Sequence, residues 1–146
     1  MPADARAILI DSNILIFAST PASEFHAAAL AAINRLEESS APTWISSQVV
    51  REYLVHMTRP DVLGTRTIAD VLDQVGRLCS HFTVADDTER VRRELLELVR
   101  QFGVQGKKVH DANLAATCLA YGIPRLLTHN IADFQRFSSL IEIETI

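Results

Sequence analysis

The sequence predicts an α/β protein built on a central, mainly parallel sheet of four to five strands flanked by helices, and three observations carry that prediction. Four short runs, AILI (7–10), TWISS (43–47), HFTVAD (81–86) and RLLT (125–128), read as strands, and AILI is consistent with one buried on both faces. Between them lie segments whose apolar residues recur at three- or four-residue steps, the spacing of amphipathic helices. Strands that alternate with helices pair in parallel, because a helical crossover returns the chain to the same end of the sheet. No repeat, low-complexity tract or linker interrupts the 146 residues, so a single domain over 1–146 is expected.

Taken in order, the first strand ends in Asp11, Ser12 and Asn13, all good helix caps. Ser23 is placed to cap a helix over 24–39, with Phe25, Ala29, Ile33 and Leu36 on one face. After TWISS, Val49, Val50, Tyr53, Leu54 and Met57 predict a helix over 47–59, stopped by Pro60. A loop over 61–64 leads to a helix over 67–78. The third strand follows, and Asp87 is expected to cap a helix over 88–102, with Gly103 just beyond its end. A helix over about 110–121 ends at Gly122, RLLT forms the fourth strand, and IEIETI (141–146) is expected to close one edge of the sheet.

Composition narrows the function classes. With 48% hydrophobic and 22% charged residues the chain is ordinary globular material, remote from disorder. Cys79 and Cys118 sit in apolar helical segments and form no CxxC, which argues against a disulfide framework or a thiolate zinc site and predicts a reducing cytoplasm. The opening MPADARAILID carries an acid and only a short apolar run, so no secretion signal is expected. No apolar stretch approaches the roughly 18 residues of a membrane span. A net charge of −4 opposes indiscriminate nucleic-acid binding but is compatible with a local basic patch, or with acids gathered about a cation. None of the five histidines is paired at the i, i+4 spacing of a helical zinc site, and neither GxGxxG nor GxxxxGK occurs.

The acids then stand out by position. Asp11 follows one predicted strand, Asn130 and Asp133 follow another, and Asp111 opens a helix. Glu52 lies in the second turn of its helix, at the edge of the apolar stripe. In open parallel sheets ligands bind beyond the carboxyl ends of the strands, where strand order reverses. Each acid has an alternative: Asp11 and Asp111 as helix caps, Glu52 as a solvated residue paired with Arg51 or His56, Asp133 as the cap of the FQRF turn. Carboxylates that converge repel one another unless a proton or a cation intervenes. An all-oxygen set selects a hard ion such as Mg²⁺, which assists phosphodiester hydrolysis.

With these residues the chain resembles the PIN-domain ribonucleases, and more closely the VapC-type toxins of type II toxin-antitoxin pairs. LIDSNILIFA (9–18) is similar to the family's opening strand and Asp-x-Asn, and SSQVVREYL (46–54) to its Glu-bearing helix. VHDANLAATCLAYGIPRLLTHNIADF (109–134) resembles its helix of small residues opened by Asp, joined to a Thr-x-Asn-x-x-Asp-Phe segment. The resemblance implies a PIN-like three-layer fold, with Asp11, Glu52 and Asp111 as metal ligands. Asp133 takes the fourth acidic role, because Asn130 carries no charge and is left to orient water or a side chain. Asn13 and Thr128 would hold those carboxylates by hydrogen bonds.

It further implies a Mg²⁺-dependent endoribonuclease, with Mn²⁺ able to substitute, that leaves 5′-phosphate and 3′-hydroxyl ends on RNA. A cognate antitoxin and a homodimer are implied partners. Lys107 and Lys108, just before the Asp111 helix, are the candidate grips on the RNA backbone. The competing readings are a non-catalytic Mg²⁺-, RNA- or protein-binding module of the same fold and a haloacid-dehalogenase-like phosphatase. The phosphatase wants a second acid two residues beyond Asp11, where this chain has Asn13.

Overall fold

The runs AILI, TWISS and RLLT lie in strands with neighbours on both sides, whereas HFTVAD forms an edge strand of which only Ala85 is buried. A computed structural model describes residues 4–146. Its strands are β1 (Ile8–Ile10), β2 (Thr43–Ser46), β3 (Thr83–Ala85), β4 (Arg125–Leu127) and β5 (Glu142–Glu144). They form one sheet in the order β3-β2-β1-β4-β5, and every pairing is parallel. Ile8, Leu9 and Ile10 of β1, the central strand, are wholly buried, as are Ile45 and Leu126 beside them.

The helices are α1 (Ser12–Ala18), α2 (His26–Glu38), α3 (Ser47–Met57), α4 (Pro60–Leu63), α5 (Ile68–His81), α6 (Glu89–Phe102), α7 (Lys108–Tyr121) and α8 (Ile131–Phe134). In α7, Ala112, Ala115 and Ala116 are buried. Such small side chains let the helix approach its neighbours closely, and α6 packs along α7. Both helices end in left-handed glycines, Gly103 at φ 61° and Gly122 at φ 66°, a conformation that costs a side-chain-bearing residue about 1–2 kcal/mol. Among the described residues no helix is long and apolar enough to cross a membrane.

The α/β class, the parallel sheet and the edge strand from IEIETI are as expected, and several boundaries differ. Helix α2 starts at His26, because Ser23 Oγ accepts from Phe25 N at 3.1 Å and closes a turn ahead of the helix. The loop expected over 61–64 contains α4, with Pro60 at its first position, where a missing N–H costs nothing. Thr88 caps α6, its side chain accepting from Val91 N, which leaves the Asp87 carboxylate free to meet Asn113. Helix α7 begins at Lys108, so Asp111 lies within its first turn and does not open it.

Arg125, read only as the first residue of a strand, is 2% exposed. Its guanidinium pairs with Glu144 at 3.1 Å and donates to the carbonyls of Asp4 and Arg6. These bonds tie β4, β5 and the segment before β1 together at the amino end of the sheet.

Candidate active site

The strand order locates the site. From β1 the chain steps outward through β2 to β3, then crosses to the other side of β1 for β4 and β5. Order therefore reverses between β1 and β4, and their carboxyl ends define the crevice where open parallel sheets bind ligands. Asp11 leaves β1 at this point, and its N–H donates to the carbonyl of Leu127 at the end of β4, at 2.9 Å.

Asp11 is both a cap and something more. One carboxylate oxygen accepts from Ser12 N at 2.7 Å, which is helix-capping chemistry. The other accepts from the Thr128 hydroxyl at 2.7 Å and from Asn13 Nδ2 at 3.3 Å. Asn13 in turn accepts from His129 N through Oδ1 at 3.2 Å, so the loop after β4 is tied to the start of α1. The residue is 5% exposed, and among the described residues no Lys or Arg is paired with it. Burial, opposed in part by the Thr128 bond and reinforced by the nearby charges of Glu52 and Asp111, pushes its carboxyl up to about 6. A plain cap needs neither the burial nor the neighbouring acids.

Glu52 comes from α3 and is half-buried. Its Oε2 accepts from Ser12 Oγ at 2.7 Å, and its Oε1 from Gln48 Nε2 at 2.8 Å. Gln48, one helical turn earlier and 2% exposed, also donates to the carbonyl of His110 at 2.9 Å and accepts from Asn113 Nδ2 at 2.8 Å. That amide thus clamps α3 against α7 and aims Glu52 toward Asp11.

Asp111 is half-buried in the first turn of α7, and its carboxyl is raised, first by burial and next by the charge of Asp133, against the opposing influence of Lys108. Asp133 in α8 meets Lys108 Nζ at 3.4 Å. Asn130 precedes α8 and makes no side-chain capping bond, while its N–H donates to Thr128 Oγ1 at 3.1 Å. His129 packs its ring against Phe25 and Phe17, with centroids 4.3 and 5.2 Å away.

The four acids therefore form an electrostatically linked row: Asp11 with Glu52 and Asp111, Asp111 with Asp133. They do not already form a cage, since among the described residues no three His, Cys, Asp or Glu side chains stand close enough to hold an ion. Ser12 and Gln48 hold Glu52, and Lys108 draws Asp133, while like-charge repulsion favours the splayed arrangement. The donor chemistry suits a hard divalent cation: oxygen only, one carboxylate buried without a counter-charge, and neighbours that rotation about side-chain bonds can bring in. Of the two lysines expected to grip RNA, Lys108 is engaged by a site acid and Lys107 is exposed just before α7. Ser12, Gln48 and Asn113 were not singled out by the sequence. Their signals were present but weak: adjacency to Asp11, a one-turn offset from Glu52, and a two-residue offset from Asp111.

Comparison with known proteins agrees with this fold. The family model described as PIN domain matches residues 8–140. No curated protein matches the sequence. Among solved structures, VapBC2 from Rickettsia felis, bound to a DNA fragment from its promoter, is similar with a TM-score of 0.71 at 19% identity, over 96% of this chain and 98% of that one. DNA-bound VapBC from Salmonella typhimurium gives 0.68 at 20% identity, over 96% and 98%. VapC20 from Mycobacterium tuberculosis, described as a Sarcin-Ricin loop cleaving toxin, gives 0.60 at 22% identity, over 82% of this chain and 87% of that one. These likenesses are of fold.

Proposed function

This chain belongs to the PIN domain family, and from that premise we propose that it is a metal-dependent endoribonuclease, the toxin of a toxin-antitoxin pair, built as one domain over 1–146. The observation that carries the reading is Asp11: a buried carboxylate at the switch point of the sheet, flanked by acids and without a cationic partner among the described residues. Structure of that kind is costly to the free protein and becomes favourable only when positive charge arrives. The similarity to VapBC complexes and to a toxin that cleaves the Sarcin-Ricin loop supports RNA as substrate and an antitoxin as partner.

Asp11, Glu52, Asp111 and Asp133 would hold Mg²⁺, or Mn²⁺ in its place. When bound, such an ion supplies positive charge that offsets the charge developing on a phosphodiester during hydrolysis. The chain's own residues do the positioning. Thr128 and Asn13 fix one oxygen of Asp11 and Ser12 N fixes the other, so that carboxylate cannot rotate away. Gln48 and Ser12 hold Glu52 at the crevice. Lys108 keeps Asp133 within reach of Asp111 and is free to exchange that carboxylate for substrate phosphate, because the pair is half-exposed and weak. Water adds to phosphorus, the bond to the 3′ oxygen breaks, and the products carry 5′-phosphate and 3′-hydroxyl ends. The toxin would act in the cytoplasm as a homodimer.

A labelled RNA pool incubated with the protein tests this. Cleavage in Mg²⁺ or Mn²⁺, its loss in EDTA and in Asp11→Asn, and 5′-phosphate ends are expected. Intact RNA in both metals, or cleavage indifferent to EDTA, would overturn the proposal.

A further inference from the structure

Beside the acid row, a groove of 360 Å³ runs along the outer face of α3, lined by Arg51, Glu52, Val55, His56 and Arg59, with His110 of α7 on its far wall. Arg51 and Val55 lie one turn apart on α3, Arg59 follows as the extended residue before α4, and all three are exposed. Glu52 belongs to both the groove and the acid row, which makes the two features continuous. Its oxygens accept from Ser12 and Gln48, which hold it toward the acid row. The rest of the lining is Gln48, two arginines, two histidines and a valine that is 67% exposed.

On a chain with a net charge of −4 the groove lining carries two arginines against one carboxylate. Arg51 is 3.8 Å from Asp87 and Arg59 is 2.7 Å from Asp61, but all four side chains are exposed. Exposed pairs are worth little and exchange readily for phosphate, to which the guanidinium fork is well matched. The volume lies at the low end of the roughly 300–1,000 Å³ of small-ligand pockets, a size for one nucleotide unit of a strand.

We propose that this groove carries single-stranded RNA on one side of the cleaved bond, with Arg51 and Arg59 engaging backbone phosphates and Val55 packing beneath a base or ribose. Glu52 hands the strand from the groove to the acids. Lys107 and Lys108 are then secondary to α3 in gripping the substrate. The inference rests on the ribonuclease reading and adds to it the surface that selects the substrate.

Fluorescence anisotropy of a labelled single-stranded RNA pool on Asp11→Asn protein in EDTA reads binding without cleavage. Arg51→Ala with Arg59→Ala should weaken binding on the order of tenfold and reduce the slope of log K against log salt by about 1.4, two phosphates at about 0.7 each. Val55→Lys should tighten binding and Val55→Glu weaken it, whereas Arg92→Ala on α6 should do neither. In the cleaving protein the arginine changes should raise KM and leave kcat. Unchanged RNA affinity and salt slope in all groove variants, with wild type still cleaving RNA, would overturn the groove and leave the nuclease standing. A change in oligomeric mass by light scattering, with RNA parameters unmoved, would likewise overturn it in favour of a contact between copies. Wild type that neither binds nor cleaves RNA in Mg²⁺ or Mn²⁺ would remove both proposals.

Discussion

Replacing Asp11 with Asn should make the metal-free protein more stable while abolishing its cleavage of RNA. The folded chain raises this carboxyl from 3.8 to about 6, chiefly through burial. At about 1.4 kcal/mol per tenfold, its ionised form is therefore disfavoured in the folded state by about 3 kcal/mol. Because the folded value lies above the unfolded one, this contribution to stability is intact below about pH 4 and is lost as pH rises through about 6. Asparagine removes the charge and keeps an oxygen for Ser12 N, and its amide can donate to Thr128 Oγ1 in place of the bond it loses. Imperfect replacement of those bonds reduces the gain to about 1–2 kcal/mol at pH 8, or roughly 2–8 °C in Tm for a chain of this size. Thermal melts of both proteins in EDTA at pH 8 and pH 4.5 measure it. The gap should be present at pH 8 and nearly closed at pH 4.5, and Mg²⁺ should raise the Tm of wild type alone. A variant that is less stable than wild type by the same amount at both pH values would refute the reasoning and return Asp11 to a helix cap.

Other changes separate the supports of the site from its ligands. Thr128→Val removes the hydroxyl that donates to Asp11 and accepts from Asn130 N. It should lower stability by about 1–3 kcal/mol in urea titrations and weaken Mn²⁺ binding about 10–100-fold by calorimetry. Gln48→Leu keeps the buried volume but leaves Glu52 to Ser12 and Asn113 Nδ2 to Asp87 alone and takes the donor from the His110 carbonyl, so Mn²⁺ affinity should fall by a similar factor, with helix content by circular dichroism unchanged. Arg125→Ala leaves Glu144 and two carbonyls without their donor. A cost of about 2–4 kcal/mol in chemical denaturation is expected, below the roughly 3–5 of a fully enclosed pair because Glu144 is partly exposed, and RNA cleavage at low temperature should be retained.

The fold was legible where periodicity and burial agree. AILI, TWISS and RLLT read as strands, and the alternation with helices implied parallel pairing, which the sheet displays. Helix starts were less legible, because Ser23, Asp87 and Thr88 have similar capping chemistry and the choice among them depends on tertiary partners. Asp87 is drawn toward Asn113 and Arg51, interactions that lie far away in sequence. Burial of Arg125 was hidden for the same reason: an arginine reads as surface until Glu144 and the carbonyls before β1 are seen to close around it. The acids were legible by their positions at strand ends. The amide and hydroxyl clamps that aim them, Gln48, Ser12 and Thr128, are polar residues whose roles appear only when α3, α7 and the end of β4 come together.

The central claim is that these acids from separate segments share a divalent cation, and calorimetric titration of the metal-free protein with Mn²⁺ tests it most directly. The account predicts saturable binding by wild type that strengthens from pH 5 to pH 8 as Asp11 ionises, and that is lost in both Asp11→Asn and Asp111→Asn. Binding that is indifferent to pH and equal in all three proteins, or absent from wild type, would contradict it.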